Sequence, residues 1–182
     1  MNKLRTAVIG VGYLGNFHAQ KYAELEQSEL VGVCDNSAER AKKIADDYNT
    51  TAYTDYTQLK GRVDAVSIAV PTPEHFNVAR FFLENGIHVL VEKPITTTIE
   101  DANILINIAK EQNITLAVGH LERFNNVIRA AAPILDKPRF IESVRLAPFK
   151  LRGTDVNVAL DLMIHDIDII HSLVHKNIDA IS

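Results

Sequence analysis

Apolar positions along the first two-thirds of the chain come in short, nearly unbroken runs separated by longer segments of helical periodicity. Leu4-Arg5-Thr6-Ala7-Val8-Ile9, the run that ends at Cys34-Asp35, Ala65-Val66-Ser67-Ile68-Ala69-Val70, Val89-Leu90-Val91 and Thr115–Val118 have the length and apolar content of strands covered on both faces. A further short strand is predicted near Ala52–Tyr53. Between these runs the pattern predicts a helix behind the first strand and another over Ser37–Tyr48. Ser37 is the N-cap of the latter, with Arg40, Lys42 and Lys43 toward solvent. A helical turn follows at Tyr56–Lys60, a helix runs from Pro73 to about Asn85 with Gly86 as its stop, and a long helix spans Thr98–Gln112. Strand and helix alternating in this way predict an α/β fold, a doubly wound parallel sheet with right-handed crossovers.

The grammar changes beyond Gly119. A helix is predicted over Glu122–Ala132, Pro133 and Pro138 punctuate the chain, and the alternation around Arg139–Ala147 predicts a strand. Asp155–His175 is the longest helical pattern in the sequence, and Asn177–Ser182 starts another strand. The expected organisation is therefore a first domain over residues 1–120 and the start of an α+β domain over residues 121–182. So small a ribbon leaves a sheet edge and an apolar helix face uncovered. The expectation is an N-terminal part of a longer protein, with a segment after about residue 120 that is open to proteolysis or pairs with another copy.

Gly10-Val11-Gly12-Tyr13-Leu14-Gly15 lies directly behind the first strand, and Asp35 closes the next apolar run. Twenty residues separate Gly15 from Asp35, the spacing of a dinucleotide-binding βαβ unit. Gly10 permits the tight strand-to-helix turn, Gly12 lets backbone N–H groups approach a pyrophosphate, and Gly15 lets the helix pack close on the sheet. The helix N-terminus adds the positive end of its dipole. Asp35 would accept hydrogen bonds from the adenosine ribose hydroxyls, which favours NAD over NADP because a 2′-phosphate would meet a like charge. The competing reading is a glycine-rich turn that binds nothing.

Composition narrows the class. Hydrophobic residues make up 47% of 182, an ordinary value for a globular protein, and the net charge of −4 offers no basic footprint for nucleic acid. Cys34 is the single cysteine and falls inside a strand, where a buried small residue is the plain reading. The first strand begins too early for a secretory leader, and no apolar run reaches the ~20 residues of a membrane span. These features predict a soluble, cytoplasmic protein.

Two groups of residues carry candidate chemistry. Glu92-Lys93-Pro94 stands at the carboxyl end of the fifth strand, the side of an open parallel sheet where ligands bind. A lysine there, stiffened by the following proline, is placed to meet a substrate; a polar strand exit is the equally simple alternative. On the long C-terminal helix, Asp161, His165 and Asp168 fall at i, i+4 and i+7, one helical face. An aspartate one turn from a histidine orients the imidazole of a general base. The alternative is a polar stripe, although Asp161 and His165 interrupt an otherwise apolar surface. His165, Asp168, His171 and His175 also have helix-compatible spacing for a metal, but four ligands along one helix cannot surround one ion, so no metal is expected.

Three stretches resemble the glucose–fructose oxidoreductase / inositol dehydrogenase (Gfo/Idh/MocA) family. They are the glycine fingerprint with His18, the stretch Val70-Pro71-Thr72-Pro73-Glu74-His75 continuing through Gly86-Ile87-His88-Val89-Leu90-Val91 to Glu92-Lys93-Pro94, and Asp161-x-x-x-His165-x-x-Asp168. Within it, Gly119-His120-Leu121-Glu122-Arg123-Phe124-Asn125 and the Leu160–Asp168 segment look most like the branch that oxidises the 3-hydroxyl of UDP-N-acetylglucosamine-type sugars. The resemblance implies an NAD-dependent sugar or polyol dehydrogenase with a nucleotide-sugar or sugar substrate, and a homo-oligomer. Lys93 would polarise the reacting hydroxyl, and His165, held by Asp161, would take its proton. Gly10, Gly12, Tyr13, Leu14, Gly15 and Asp35 would bind the cofactor, with Thr72, Pro73, His75 and Glu92 on its nicotinamide-ribose side. It also implies a cis Lys93–Pro94 peptide. A catalytically silent NAD-binding regulator or partner subunit is the competing class.

Overall fold

A computed structural model describes residues 3–135, 138–146, 157–174, 178 and 180. The chain divides into two compact units, residues 1–119 and 120–182.

The first unit is the alternating fold that the apolar pattern predicts. Its strands are β1 (Leu4–Ile9), β2 (Ser28–Cys34), β3 (Thr51–Tyr53), β4 (Ala65–Ile68), β5 (His88–Val91) and β6 (Leu116–Val118). They form one sheet in the order β3-β2-β1-β4-β5-β6, and every pairing is parallel. Helices α1 (Tyr13–Glu24), α2 (Ala38–Asp47), α3 (Thr72–Glu84) and α4 (Ile99–Glu111) cross between the strands, with a 3₁₀ turn at Tyr56–Leu59. The order reverses between β1 and β4, and this switch point opens a crevice beyond the strands' carboxyl ends.

Strand residues alternate between two apolar layers. Ala7, Ile9, Val66, Ile68, Val89 and Val91 point to the layer formed with Val78, Phe82 and Leu83 of α3 and with Leu105 and Ala109 of α4. Val8 and Val33 point the other way, to Ala19 of α1 and to Ile44 and Ala45 of α2. This two-sided burial explains why the strands read as unbroken apolar runs rather than as an alternation. Caps set the helix starts: the Ser37 side chain accepts from Arg40 N–H, and the Thr98 side chain accepts from Asp101 N–H.

The second unit departs from its sequence pattern. The helix expected over Glu122–Ala132 is broken at Asn125, whose extended backbone lets its side chain cap a new turn by accepting from Val127 N–H. The result is a 3₁₀ turn at Leu121–Phe124, helix α5 (Asn126–Ala131) and a second 3₁₀ turn at Ala132–Ile134. The strand expected at Arg139–Ala147 has no ladder over residues 139–146, and Ala147 lies outside the described residues. An alternating pattern becomes a strand only where a neighbour pairs with its backbone, and none of the described residues does so. The long helix comprises a π-helical turn at Ala159–Met163 followed by α6 (Ile164–Val174); residues 155, 156 and 175, and most of the strand start at 177–182, lie outside the described residues. No helix among the described residues is long and apolar enough to cross a membrane.

Candidate functional site

Parallel register turns the strand ends of the first unit into a row. Ile9 pairs with Cys34 and Ile68, Cys34 with Tyr53, Ile68 with Val91, and Val91 with Val118. The next residue of each strand is therefore at the exit: Gly10, Asp35, Ala69, Glu92 and Gly119. Candidates scattered over more than a hundred positions share one edge of one sheet.

The turn from β1 to α1 is built on close approach. Gly10 has φ +82°, and a Cβ there would stand 2.7 Å from Val70 N and 2.8 Å from the Ala69 carbonyl. A Cβ on Gly15 would come within 1.8 Å of the Gly10 carbonyl oxygen. Gly12 is different: its Cβ would meet only the Arg40 guanidinium, at 3.9 Å. Gly12 caps α1 without a side-chain hydrogen bond, and no acidic residue occupies the first turn. Tyr13 and Leu14 are exposed beside it, and Tyr13 packs edge-on against Phe17 at 5.3 Å. The geometry suits a diphosphate.

Asp35 is more deeply engaged than its position suggests. Its Oδ2 accepts from Val11 N–H at 3.0 Å and its Oδ1 from Ser37 N–H at 2.9 Å, so it braces the glycine turn against the start of α2. The Arg40 guanidinium lies 3.5 Å from Oδ2, with the carboxylate side chain 4% exposed and the arginine 51%. Arg40, expected only as a solvent-facing charge, stands over the corner where a ribose would meet Asp35. Cys34, next along the chain, is buried, and burial together with the Asp35 and Asp55 charges pushes its thiol up to about 12, which makes it inert.

At the exit of β5, Glu92 is nearly buried. Its Oε2 faces Lys93 N–H at a long 3.4 Å, and its Oε1 lies 3.0 Å from His18 Nε2 without an aligned hydrogen bond. Behind His18, its Nδ1 is hydrogen-bonded to the Ser67 hydroxyl, and the Tyr22 phenol interacts with the same hydroxyl. Burial holds the Tyr22 phenol above its usual range. A buried carboxylate with unused acceptor capacity fits a ligand that brings hydroxyl donors, such as a ribose.

Lys93 is partly buried, and the Lys93–Pro94 peptide is cis, as the resemblance implies. His75, expected to line the cofactor, is 1% exposed, with Nδ1 at 2.8 Å from the Pro94 carbonyl oxygen and Nε2 at 2.9 Å from that of Val70. Both nitrogens are taken by main chain. His75 therefore contributes the position of the Lys93–Pro94 turn rather than a hydrogen bond to a ligand. Thr72 is buried at the start of α3 and Pro73 is exposed beside it.

In the second unit, Asp161 falls in the π-helical turn, where Ile164 N–H reaches back to the Ala159 carbonyl. His165 follows one turn later, in the first turn of α6. Asp168 is spoken for: Arg123 donates to both its oxygens, at 2.8 and 2.6 Å, with His120 at 3.8 Å. The Arg123 hydrogen bonds hold the Asp168 carboxyl below its ordinary range. Its share of stability is thus complete above about pH 4 and is lost as pH falls through the lowered value. Asp168→Asn should cost on the order of 1 kcal/mol, because solvent screens the half-exposed arginine. The measurement is helical circular dichroism during acid titration, in which the variant should lose part of the acid-dependent change of the unmodified protein. Asp168 occupied in this way is also a poor metal ligand, and His175 lies outside the described residues. His165 and Lys93 belong to different units.

Sequence reasoning passed over Arg40's pairing and the Tyr22–Ser67–His18 chain. A signal existed for the chain: Ser67 is the one polar residue in its apolar run, and Tyr22 follows His18 at i+4.

The family described as "Oxidoreductase family, NAD-binding Rossmann fold" (GFO_IDH_MocA) matches residues 4–120. UDP-N-acetylglucosamine 3-dehydrogenase of Acidithiobacillus ferrooxidans is 46% identical over 170 residues, 93% of this chain and 54% of that protein. scyllo-Inositol 2-dehydrogenase (NAD(+)) of Bacillus subtilis is 28% identical over 194 residues, 100% of this chain and 57% of that protein. A crystal form of the Acidithiobacillus enzyme superposes with a TM-score of 0.90 at 42% identity, covering 100% of this chain and 60% of that one. The Lactobacillus casei scyllo-inositol dehydrogenase with bound NAD(H) and scyllo-inositol shares the fold, with a TM-score of 0.82 at 22% identity, over 98% of this chain and 58% of that one. The chain spans a little over half the length of these curated relatives.

Proposed function

The chain belongs to the Gfo/Idh/MocA oxidoreductases, whose fold is an NAD-binding Rossmann unit, and from that premise we propose that it serves an NAD-dependent dehydrogenase that oxidises the 3-hydroxyl of a UDP-amino sugar. The observation that carries the chemistry is the exit row: the glycine turn, Asp35 and Glu92-Lys93 all leave the sheet at the same edge. The substrate class rests on the 46% identity with the Acidithiobacillus enzyme.

NAD, when bound, supplies the hydride acceptor. The protein does the rest. Backbone N–H groups of Gly12, Tyr13, Leu14 and Gly15 at the α1 N-terminus would donate to the pyrophosphate, while those of Gly10 and Val11 hold the turn itself by donating to the Cys34 carbonyl and to Asp35. Asp35 accepts from the adenosine ribose, and Thr72, Pro73 and Glu92 border the nicotinamide ribose. Lys93 donates to the reacting hydroxyl and lowers the cost of its deprotonation, while His165 takes the proton, oriented by Asp161. The test is a turnover assay of the full-length protein with UDP-N-acetylglucosamine and scyllo-inositol, following reduced nicotinamide. Oxidation of the nucleotide sugar is expected. Turnover of inositol alone would overturn the substrate class, and NADH binding without turnover of either would favour the silent regulator.

Cofactor choice gives a second test. Asp35 repels a 2′-phosphate, but Arg40, half-exposed beside it, offsets part of that charge. NAD should bind tighter than NADP; Asp35→Ala should narrow the gap by about 1–3 kcal/mol, and Arg40→Ala should widen it. Fluorescence titration with NADH and NADPH measures both. Equal affinities in the unmodified protein would overturn the role of Asp35.

A further inference from the structure

We propose that His18 is a positioning residue for the nicotinamide half of the cofactor site, acting through Glu92. The inference rests on the dinucleotide reading above and goes beyond it to three side chains that reading does not use.

The Glu92 carboxylate is held from two sides. On one side stands His18 Nε2, 3.0 Å from Oε1. On the other stands the Gly119 main chain, so close that a Cβ would lie 2.7 Å from Oε1 and 2.9 Å from the carboxyl carbon. Gly119 donates its N–H to the Val91 carbonyl, so β5 and β6 fix its place. A nearly buried carboxylate at a strand exit has two easy departures, rotation toward α1 or toward β6. His18 blocks the first and Gly119 the second.

His18 is itself fixed from behind. Beside an acceptor-only carboxylate Nε2 carries the ring proton, and in the neutral ring Nδ1 then accepts from Ser67 O–H. Ser67 is 0% exposed on β4, at the centre of the sheet, and Tyr22 lies one turn after His18 on α1. The imidazole thus presents a donor, not an acceptor, to the carboxylate. Such an arrangement holds the carboxylate in place with Oε1 still short of an aligned hydrogen bond, the geometry in which it can accept from a vicinal diol. The adenosine corner at Asp35 lies across β1 and β4 from Glu92, on the far side of the switch point, and shares no hydrogen bond with this chain.

That separation gives the test. In the full-length protein, NADH and ADP are titrated separately by fluorescence and calorimetry; ADP carries the adenosine ribose but not the nicotinamide ribose. His18→Ala should weaken NADH binding about tenfold, the loss expected of one hydrogen bond to a charged group, and leave ADP binding unchanged. Gly119→Ala, which displaces the end of a flexible side chain and no backbone, should do the same. His18→Gln, whose amide can donate to Glu92, should recover most of the loss. Unchanged NADH affinity in His18→Ala overturns the proposal, as does equal weakening of NADH and ADP, which would mark general damage to the fold. Failure of the unmodified protein to bind NADH would instead overturn the dinucleotide reading itself.

Discussion

Lys93→Ala and His165→Ala should each lower turnover of the full-length enzyme by roughly 100-fold or more while NADH affinity stays nearly constant. The two residues arrive by separate routes, one at the exit of β5 and one on α6, and the proposed chemistry assigns them one hydroxyl. Lys93 leaves β5, three strands along the sheet from β2 and Asp35, so its removal should spare binding of the cofactor's adenosine half. A loss shared between kcat and kcat/KM would mark an interaction made in the transition state rather than in the ground state. Near-normal turnover in either variant would refute the assignment of that residue.

Gly15→Ala should be the most damaging single methyl group in the first unit. Its Cβ would stand 1.8 Å from the Gly10 carbonyl oxygen, a backbone atom that cannot swing aside. Helix α1 would have to lift from the sheet, opening the layer in which Ala19 packs with Val8 and Val33. A cost of about 3 kcal/mol, at the upper end for overpacking, lowers the melting temperature by roughly 6–12 °C in a chain of this size. NADH binding should be lost as well, because the same shift spoils the N–H groups facing the diphosphate. Gly12→Ala is the control: its Cβ meets only Arg40 at 3.9 Å, so it should fold normally and lose affinity alone. A Gly15→Ala variant that melts with the unmodified protein would contradict this account of the turn.

Much of the first unit was legible from local pattern. Runs that are apolar throughout report burial on both faces, and burial on both faces with helices between is the parallel doubly wound sheet. Gly10, Gly15 and Asp35 were legible because their roles depend on near neighbours in the chain, a turn and the strand that follows it. Glu92-Lys93 was legible as a strand exit, although not by that pattern as more than a polar one. The second unit was less so. Asn125 interrupted an expected helix because its side chain caps a new turn more effectively than its backbone continues the old one. The π-helical turn at Ala159–Met163 has no signature in the apolar pattern, and Arg123, forty-five residues away, claims Asp168.

The sequence by itself determined the fold class of the first unit, its strand ends and the residue types that stand there, because periodicity, caps and turn glycines act over a few residues. The tertiary structure alone decided who meets whom across the sheet. It set Arg40 over Asp35, turned both nitrogens of His75 to main-chain carbonyls, and lined up Tyr22, Ser67 and His18 behind Glu92. Those partners lie between five and seventy-four residues apart, and local pattern marks single members such as Ser67 without naming what each one meets. Strand order and register bring them together, and the sheet acquires both only when its helices close on its two faces.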